Sequence, residues 1–295
     1  MIAEKDADAI TVLSAFAAER RRAVAYWRVR IVLHRQAAQS GTTIPGEPRV
    51  KAAVRRMVAR GDLLRIPDLR EIYIVESPYA AHIPLSDEQV LQEASPGSFF
   101  SHLTAAVYHG LTDAIPRRLF MTRPRAVSGR LPLGTTAEDW AEIERPSEQR
   151  PERVLNVDVV WASSPDDRGV DAVFTHGSSI YMTDRERTLL DMLASPDKGG
   201  GVTSVIAAWR RGSDSWDVER LLAYCADAGP VARQRVGFLA ERLGVRHTIL
   251  EAWKSSLQRG GSMKLVAHAP YAPNFSSIWN LSLNVPPATL AVLDE

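Results

Sequence analysis

The stretch that most constrains the fold of this 295-residue chain covers residues 48–61. At 3.6 residues per turn its apolar residues form one stripe that can face a core: Val50, Val54, Met57 and Val58. Its basic residues occupy the remaining surface with no acidic residue among them: Arg49, Lys51, Arg55, Arg56 and Arg60. Pro48 suits the first turn of a helix, and Gly61 suits the position just past its end. The pattern predicts about three turns of helix with one apolar face and one cationic face.

Two short strands are predicted directly after this helix, at residues 63–66 and 72–75, around the turn pair Pro67-Asp68. Arg65 and Arg70 lie on the resulting hairpin. A helix followed by a hairpin is the order of a recognition helix and its wing, and such a helix fits the major groove of B-DNA in size and charge. An arginine-rich helix alone is more often a solvated surface. The hairpin and the local charge favour DNA binding here.

The charge of the chain is concentrated in this region. Residues 1–80 carry 14 Lys and Arg against 9 Asp and Glu, whereas the remaining residues carry 22 against 26. Between Arg20 and Arg70 there are 13 basic residues and 3 acidic ones. A basic module joined to a mildly acidic one indicates a polyanionic partner for the first module only. Basic pairs at 117–118 and 210–211, with Arg123 and Arg125, could add a second DNA surface, but surface arginines balanced by acids explain them better.

The chain divides into two predicted domains with an α+β fold. Residues 1–80 form a winged helix-turn-helix domain, with helices at about 8–22 and 23–38 before the basic helix, and residues 77–84 form a linker. Residues 85–295 form a larger mixed α/β domain without regular strand–helix alternation. Within it, capping boxes at Ser86 and Thr183 predict helix starts, and residues 131–153 predict a loop with a short helix near Glu138.

Composition limits the class of protein. Cys225 is the single cysteine, so an internal disulfide and a cysteine-based zinc site are excluded, and a reducing cytoplasm fits best. No apolar run approaches membrane-spanning length, and the N-terminus does not resemble a signal peptide. We therefore expect a cytoplasmic protein with no membrane partner. His34 lacks a second ligand at metal spacing, and we expect neither a metal nor a cofactor.

Enzymatic chemistry has weak support in the sequence. Ser101 and His102 are neighbours on a predicted helix, where adjacent side chains do not face each other. A metal-dependent nuclease that the winged helix delivers to DNA could use an acidic set of four residues: Asp158, Asp184, Glu186 and Asp191. Helix capping explains Glu186 better, and Asp158 is better explained as one strand residue among valines. We expect no catalytic residue. The nuclease remains an alternative, and so does an adaptor whose acidic second domain masks another protein.

Four motifs recur in one order and together resemble the antitoxin (the AbiEi family) of abortive-infection, AbiE-type, type IV toxin–antitoxin systems, in its mycobacterial branch. They are Ser101-x-Leu103 with His109-Gly110-Leu111-Thr112-Asp113, Met182 with Glu186-Arg187-Thr188-Leu189-Leu190-Asp191, Gly199-Gly200, and Arg235-x-Gly237-Phe238-Leu239-x-Glu241-Arg242-Leu243-Gly244. Motif residues in this family look structural, and none is carried over as catalytic.

The resemblance implies a two-domain antitoxin and transcriptional autorepressor. Its winged helix would bind inverted repeats in double-stranded DNA of its own promoter, with two copies on the DNA possible. A neighbouring gene would encode a nucleotidyltransferase-like toxin that this protein counteracts. On this interpretation the cationic helix residues and the hairpin residues Arg65 and Arg70 form the DNA-binding site.

Overall fold

The computed structural model of the protein describes residues 2–78, 80, 82–126, 129–257 and 263–294, the side chains of residues 2–6 excepted. The fold is α+β, as predicted, with an N-terminal winged helix followed by mixed α/β structure. Backbone contacts divide the chain into two compact units. The first comprises Met1–Phe99, Met121–Asp166 and Ala172–Met182, and the second comprises Phe100–Phe120, Asp167–Asp171 and Thr183–Glu295.

The first unit begins with the winged helix. Its elements in chain order are α1 (Ile2–Ala18), β1 (Ala23–Ala25), α2 (Tyr26–Ser40), α3 (Glu47–Ala59), β2 (Leu63–Arg65) and β3 (Ile72–Val75). The strands form an antiparallel sheet in the order β1-β3-β2, with Ile74 paired to Ala23 on one side and to Leu64 on the other. Three helices, a strand after the first, and a closing hairpin give the winged-helix topology. α3 occupies the recognition position, and the hairpin of β2 and β3 with its connection, residues 63–75, forms the wing.

Strand β1 was not expected, because residues 8–22 and 23–38 were predicted as two adjoining helices. The first helix ends at Ala18, and Arg20 takes a left-handed backbone conformation with φ of 53°. Residues 23–25 then pair with β3. Three apolar residues carry no periodicity that separates a strand from a helix, and the partner strand lies some fifty residues further along the chain. Residues 23–25 therefore form a strand because they pair with β3, and local propensity does not determine their conformation.

The predicted apolar stripe of the basic helix is buried as expected. Val50, Val54 and Met57 are at most 3% exposed and pack with residues of α1, α2 and the hairpin. Val58, the fourth predicted residue, is partly buried against the same core, and Ala53, which was not predicted, is fully buried. Burying such side chains stabilises the fold by roughly 1.5–3 kcal/mol each. The stripe fixes the rotation of α3 about its own axis, so the cationic residues must face away from this core.

The contacts divide the chain differently from the predicted domains 1–80 and 85–295. Helix α4 (Asp87–Ala94) begins at the predicted cap, because Ser86 Oγ accepts a hydrogen bond from Gln89 N. Its side chains reach the winged helix: Gln89 Oε1 accepts from Ala23 N at 2.9 Å, and Glu93 Oε2 accepts from Ala25 N at 3.0 Å. These bonds join α4 to β1, and α4 therefore belongs to the first unit.

A six-stranded sheet, most of whose residues belong to the first unit, follows α4. Its strand order is β6-β7-β5-β4-β9-β8, and its strands are β4 (Phe99–Phe100), β5 (Arg118–Pro124), β6 (Arg153–Val154), β7 (Val157–Ser164), β8 (Val170–Thr175) and β9 (Ser178–Thr183). The short helix predicted near Glu138 is a single 3₁₀ turn, Glu138–Trp140, in the long connection between β5 and β6.

The second unit is mainly helical. Its helices are α5 (His102–Tyr108), α6 (Arg185–Ala194), α7 (Val202–Gly212), α8 (Val218–Tyr224), α9 (Pro230–Arg242), α10 (Thr248–Ser256) and α11 (Pro287–Ala291). A small sheet in the order β10-β12-β11 completes it, from the strands β10 (Met263–Lys264), β11 (Phe275–Ser276) and β12 (Leu281–Ser282). The core of this unit includes the buried Trp209 and Trp279.

Residues of the fourth motif have structural roles in this unit. A Cβ atom at Gly237 would overlap the ring of Trp279, so only glycine lets α9 approach that ring. Glu241 Oε2 accepts a hydrogen bond from Trp279 Nε1 at 2.7 Å, and Glu241 Oε1 lies 2.9 Å from Lys254 Nζ. The spacing of Gly237 and Glu241 thus places one turn of α9 against a buried tryptophan.

The cap of α6 differs from the predicted capping box. Asp184 is the capping residue, since its Oδ1 accepts from Arg187 N at 2.7 Å. The Thr183 hydroxyl lies 2.8 Å from the Thr188 hydroxyl, and Glu186 Oε1 accepts from Asp217 N at 2.8 Å, at the start of α8. The sequence placed the helix start within two residues but assigned the cap to the wrong side chain.

Among the described helices, none combines the length and the apolar character that crossing a membrane requires.

Candidate nucleic-acid interface

The loop before α3 sets where this helix begins, and its buried face sets which side chains are exposed. Gly41 ends α2 in a left-handed conformation with φ of 61°, and residues 42–46 lead to Pro48 in the first turn of α3. One face of α3 is buried in the core. On the remaining surface of the helix, Lys51 and Arg55 are exposed and Arg56 is half-buried. The structure therefore gives α3 the two faces that the sequence predicted.

Acidic residues from outside the predicted basic stretch pair with three of its five charges. Asp8 of α1 accepts two hydrogen bonds from the Arg49 guanidinium, at 2.8 and 2.9 Å. Two further charges lie close to the two ends of the helix: Lys51 Nζ is 3.3 Å from Glu47, and Arg60 Nε is 3.0 Å from Asp62. The cationic face is therefore partly neutralised, which its sequence alone did not reveal.

Arg55 and Arg56 differ from these three. In the part of the chain that the structure describes, neither side chain has an acidic partner or a hydrogen bond. Arg56 Nε is buried without an acceptor. A buried donor that lacks a partner costs about 1–3 kcal/mol, so Arg56 is held in this position at a cost to the stability of the fold.

The wing carries the two remaining predicted residues, Arg65 and Arg70, both exposed. The Arg65 guanidinium lies 5.7 Å from the ring centroid of Tyr73. Asp68 and Glu71 hold left-handed backbone conformations, with φ of 64° and 58°. Neither wing arginine has an acidic partner among the described residues. The wing thus offers two more cations beside α3.

Sequence reasoning missed Gln149, which holds the wing from a distant part of the first unit. Arg70 N donates to Gln149 Oε1 at 2.7 Å, and Gln149 Nε2 donates to Arg70 O at 2.8 Å. A cavity of about 910 Å³ lies next to this contact, and its lining includes Trp27, Arg30, Leu69 and Arg145. A polar side chain in a predicted loop carries no periodic signal, so only the folded structure could identify it.

Three of the six arginines in the other basic clusters have acidic partners. Arg211 makes two hydrogen bonds to Asp113, at 2.6 and 2.9 Å, and Arg210 lies 3.0 Å from Asp214. In the first unit, Arg123 Nε lies 3.7 Å from Glu148. These contacts favour the interpretation of these clusters as balanced surface charge.

The carboxylates of the nuclease alternative are occupied by hydrogen bonds. Asp184 Oδ2 accepts from the Tyr224 hydroxyl at 2.5 Å, while its other oxygen caps α6. Burial raises the pKa of Asp184 above its usual value. The described residues contain no group of three or more His, Cys, Asp or Glu side chains arranged to hold a metal ion.

The sequence-based statement that Ser101 and His102 do not face each other is wrong. Ser101 Oγ lies 2.8 Å from His102 Nδ1, and both residues are buried. Ser101 precedes α5 with an extended backbone, and His102 has a φ of 50°, so the helical spacing rule does not apply to this pair. Burial, followed by the charge of Lys198, lowers the pKa of His102 to about 4. The pair is enclosed within the second unit.

The fold defines the class of this chain as a winged-helix protein with an appended mixed α/β region. No family model matches the sequence, and no curated protein matches it. Among solved structures, the crystal structure of the RV2827C protein from Mycobacterium tuberculosis is similar, with a TM-score of 0.57 and 13% sequence identity over 97% of this chain and 93% of that one. At this identity the similarity shows a shared fold alone.

Proposed function

We propose that this protein binds double-stranded DNA sequence-specifically through α3 and its wing. One observation carries the proposal: a winged helix whose exposed side presents Arg55 and Arg56 on α3, and Arg65 and Arg70 on the wing, without acidic partners among the described residues. A helix of 13 residues is about 20 Å long and enters the major groove end-on or along its length.

The residues divide into two roles. Arg55 and Arg56 are assigned to base edges and adjacent phosphates, because an unpaired guanidinium can form two parallel hydrogen bonds to guanine. Arg49, Lys51 and Arg60 are assigned to phosphates, which would exchange with the acids that they contact in the protein alone. Arg65 and Arg70 are assigned to the phosphates or the minor groove beside the wing.

The biological role proposed is that of an autorepressor and antitoxin. It rests on the resemblance of the four motifs to AbiE-type antitoxins, and the structural roles of Gly237 and Glu241 agree with the expectation that these motifs are structural. The protein would act in the cytoplasm on inverted repeats of its own promoter and counteract a nucleotidyltransferase-like toxin encoded beside it. The proposal assigns no catalytic residue, metal or cofactor.

The DNA-binding part is tested with fluorescently labelled DNA from upstream of the gene and a scrambled duplex of the same composition. The wild type should prefer the upstream DNA. Arg56→Ala should weaken that binding by about 1–3 kcal/mol, roughly five- to 150-fold, if Arg56 reads a base. Arg246→Ala removes the same charge from an exposed position in the second unit and serves as the matched control. Equal affinity for both duplexes would refute sequence-specific binding.

The antitoxin part needs a separate test. Cells that express the neighbouring toxin gene should survive when this protein is produced from an unrelated promoter. Arg56→Ala should lose repression of a promoter reporter and retain this protection if the two activities are separable. Continued growth arrest in the presence of the wild-type protein would refute the antitoxin role.

A further inference from the structure

The wing of this protein is held by a side chain outside the winged helix. The Gln149 amide forms paired hydrogen bonds with the backbone N–H and C=O of Arg70, at 2.7 and 2.8 Å. The same paired pattern joins opposite residues of antiparallel strands. One amide thus takes the place of a neighbouring strand at the exposed edge of the wing.

Gln149 is itself held in place by hydrogen bonds to its backbone N–H and its backbone carbonyl. Its backbone N–H donates to Ala94 O at 2.9 Å, and its backbone carbonyl accepts a hydrogen bond from Ser95 Oγ. Both partners lie at the C-terminal end of α4, and Ser95 is fully buried. All these residues belong to the first unit. The amide therefore presents its two polar atoms to the wing from a fixed position.

The hydrogen bonds from Gln149 stabilise a wing conformation that its own residues do not favour. Asp68 and Glu71 are non-glycine residues in the left-handed region, which costs about 1 kcal/mol or more for each residue. Leu69, between them, is 9% exposed, so the middle of the wing is tucked inward. Backbone hydrogen bonds within the winged helix involve Ile66, Leu69 and Glu71, and the bonds to Gln149 add the contact at Arg70.

We propose that Gln149 is a positioning residue for DNA binding. It fixes the backbone of the wing so that Arg65 and Arg70 are already placed for DNA, and the complex does not bear the cost of ordering the loop. The inference rests on the proposed function, because it assigns the wing to DNA. It adds a residue from the connection between β5 and β6 to a site otherwise built from residues 1–80.

The two hydrogen bonds lie at the protein surface, where water can replace the lost partners. Gln149→Ala should therefore change the order of the wing without changing the thermal stability of the fold. Hydrogen exchange of the Arg70 amide measures this without DNA. Exchange should be about fivefold faster in Gln149→Ala, since one protecting bond of about 1 kcal/mol is lost. Gln149→Asn should behave in the same way, because its shorter side chain does not reach both atoms. Gln36→Ala, an exposed glutamine of α2, is the matched control.

DNA binding by the same variants completes the experiment. Gln149→Ala should weaken binding to the upstream DNA by about fivefold, and by less than about twofold when Arg70 is already alanine, since both changes act on one wing. Unchanged exchange at Arg70 would overturn the hold itself. Faster exchange with unchanged affinity, or additive losses in the double variant, would overturn the positioning role. If the wild type shows no preference for the upstream DNA, the proposed function fails, and the exchange measurement still decides whether Gln149 orders the wing.

Discussion

The ion pair between Arg28 and Glu93 gives the sharpest stability prediction for the first unit. The two side chains are 3% and 4% exposed. Glu93 accepts from Arg28 Nε at 3.0 Å and from Arg28 Nη2 at 2.5 Å, and it also accepts from Ala25 N. Burial lowers the pKa of Arg28, while the charge of Glu93 opposes that change. The carboxylate of α4 thus compensates a cation enclosed beside β1.

Glu93→Gln keeps the shape of the side chain and removes its charge. Arg28 is then left as a buried cation without a counter-charge, and breaking a buried pair in this way costs about 3–5 kcal/mol. The total free energy of unfolding of a domain is about 5–15 kcal/mol. The variant should therefore lose at least about a fifth of the stability of this unit. Replacing both Arg28 and Glu93 by methionine should cost less than the single change, because the buried cation is removed and only Ala25 N loses an acceptor.

Urea unfolding followed by tryptophan fluorescence and circular dichroism measures these differences through the transition midpoint at constant slope. Glu144→Gln, an exposed change of the same kind, should stay within about 0.5 kcal/mol of the wild type. A loss of less than about 1 kcal/mol in Glu93→Gln would refute the reasoning. A double variant less stable than the single one would also refute it.

Three further predictions concern other parts of the chain. Asp8→Asn should tighten DNA binding by about two- to fivefold, because Asp8 competes with phosphates for Arg49; unchanged affinity in a titration would contradict this. Gly237→Ala should lower the free energy of unfolding by about 1–3 kcal/mol or more, as its methyl group overlaps Trp279, and a wild-type urea midpoint would contradict that overlap. His102, whose pKa falls to about 4, is neutral in the fold, so the unfolded state binds more protons below pH 6.5 and stability is lost as the pH falls from 6.5 to 4. Unfolding measured across that range should show up to about 3 kcal/mol of loss, less in His102→Gln, and an identical pH profile for the variant would exclude this source.

Much of the winged helix could be predicted from periodicity and turn residues. The apolar stripe of α3 begins with Val50 and is spaced for a helix, and Pro67-Asp68 marks the wing between two apolar runs. Both signals are local and physically strong, because a misplaced stripe would expose apolar surface. The start of α4 at Ser86 had an equally local cause in its cap.

What the sequence could not provide depends on contacts between distant residues. β1 exists because β3 pairs with it, and Arg49 forms an ion pair with Asp8, forty-one residues earlier. Gln149 meets the wing seventy-nine residues from Arg70. No sequence spacing predicts which distant residue each of these residues contacts. The cationic face of α3 was therefore predicted in position and overestimated in net charge.

The salt dependence of binding to the upstream DNA tests the central claim most directly. If about six phosphates are engaged, log K should fall with log salt concentration at a slope near −5. Replacing both Lys51 and Arg60, which are assigned to phosphates, by alanine should reduce the steepness of that slope by about 2, since each phosphate contact contributes about 0.9 to it. A slope near zero for the wild type, or an unchanged slope in the double variant, would contradict the assignment of α3 as the DNA-binding helix.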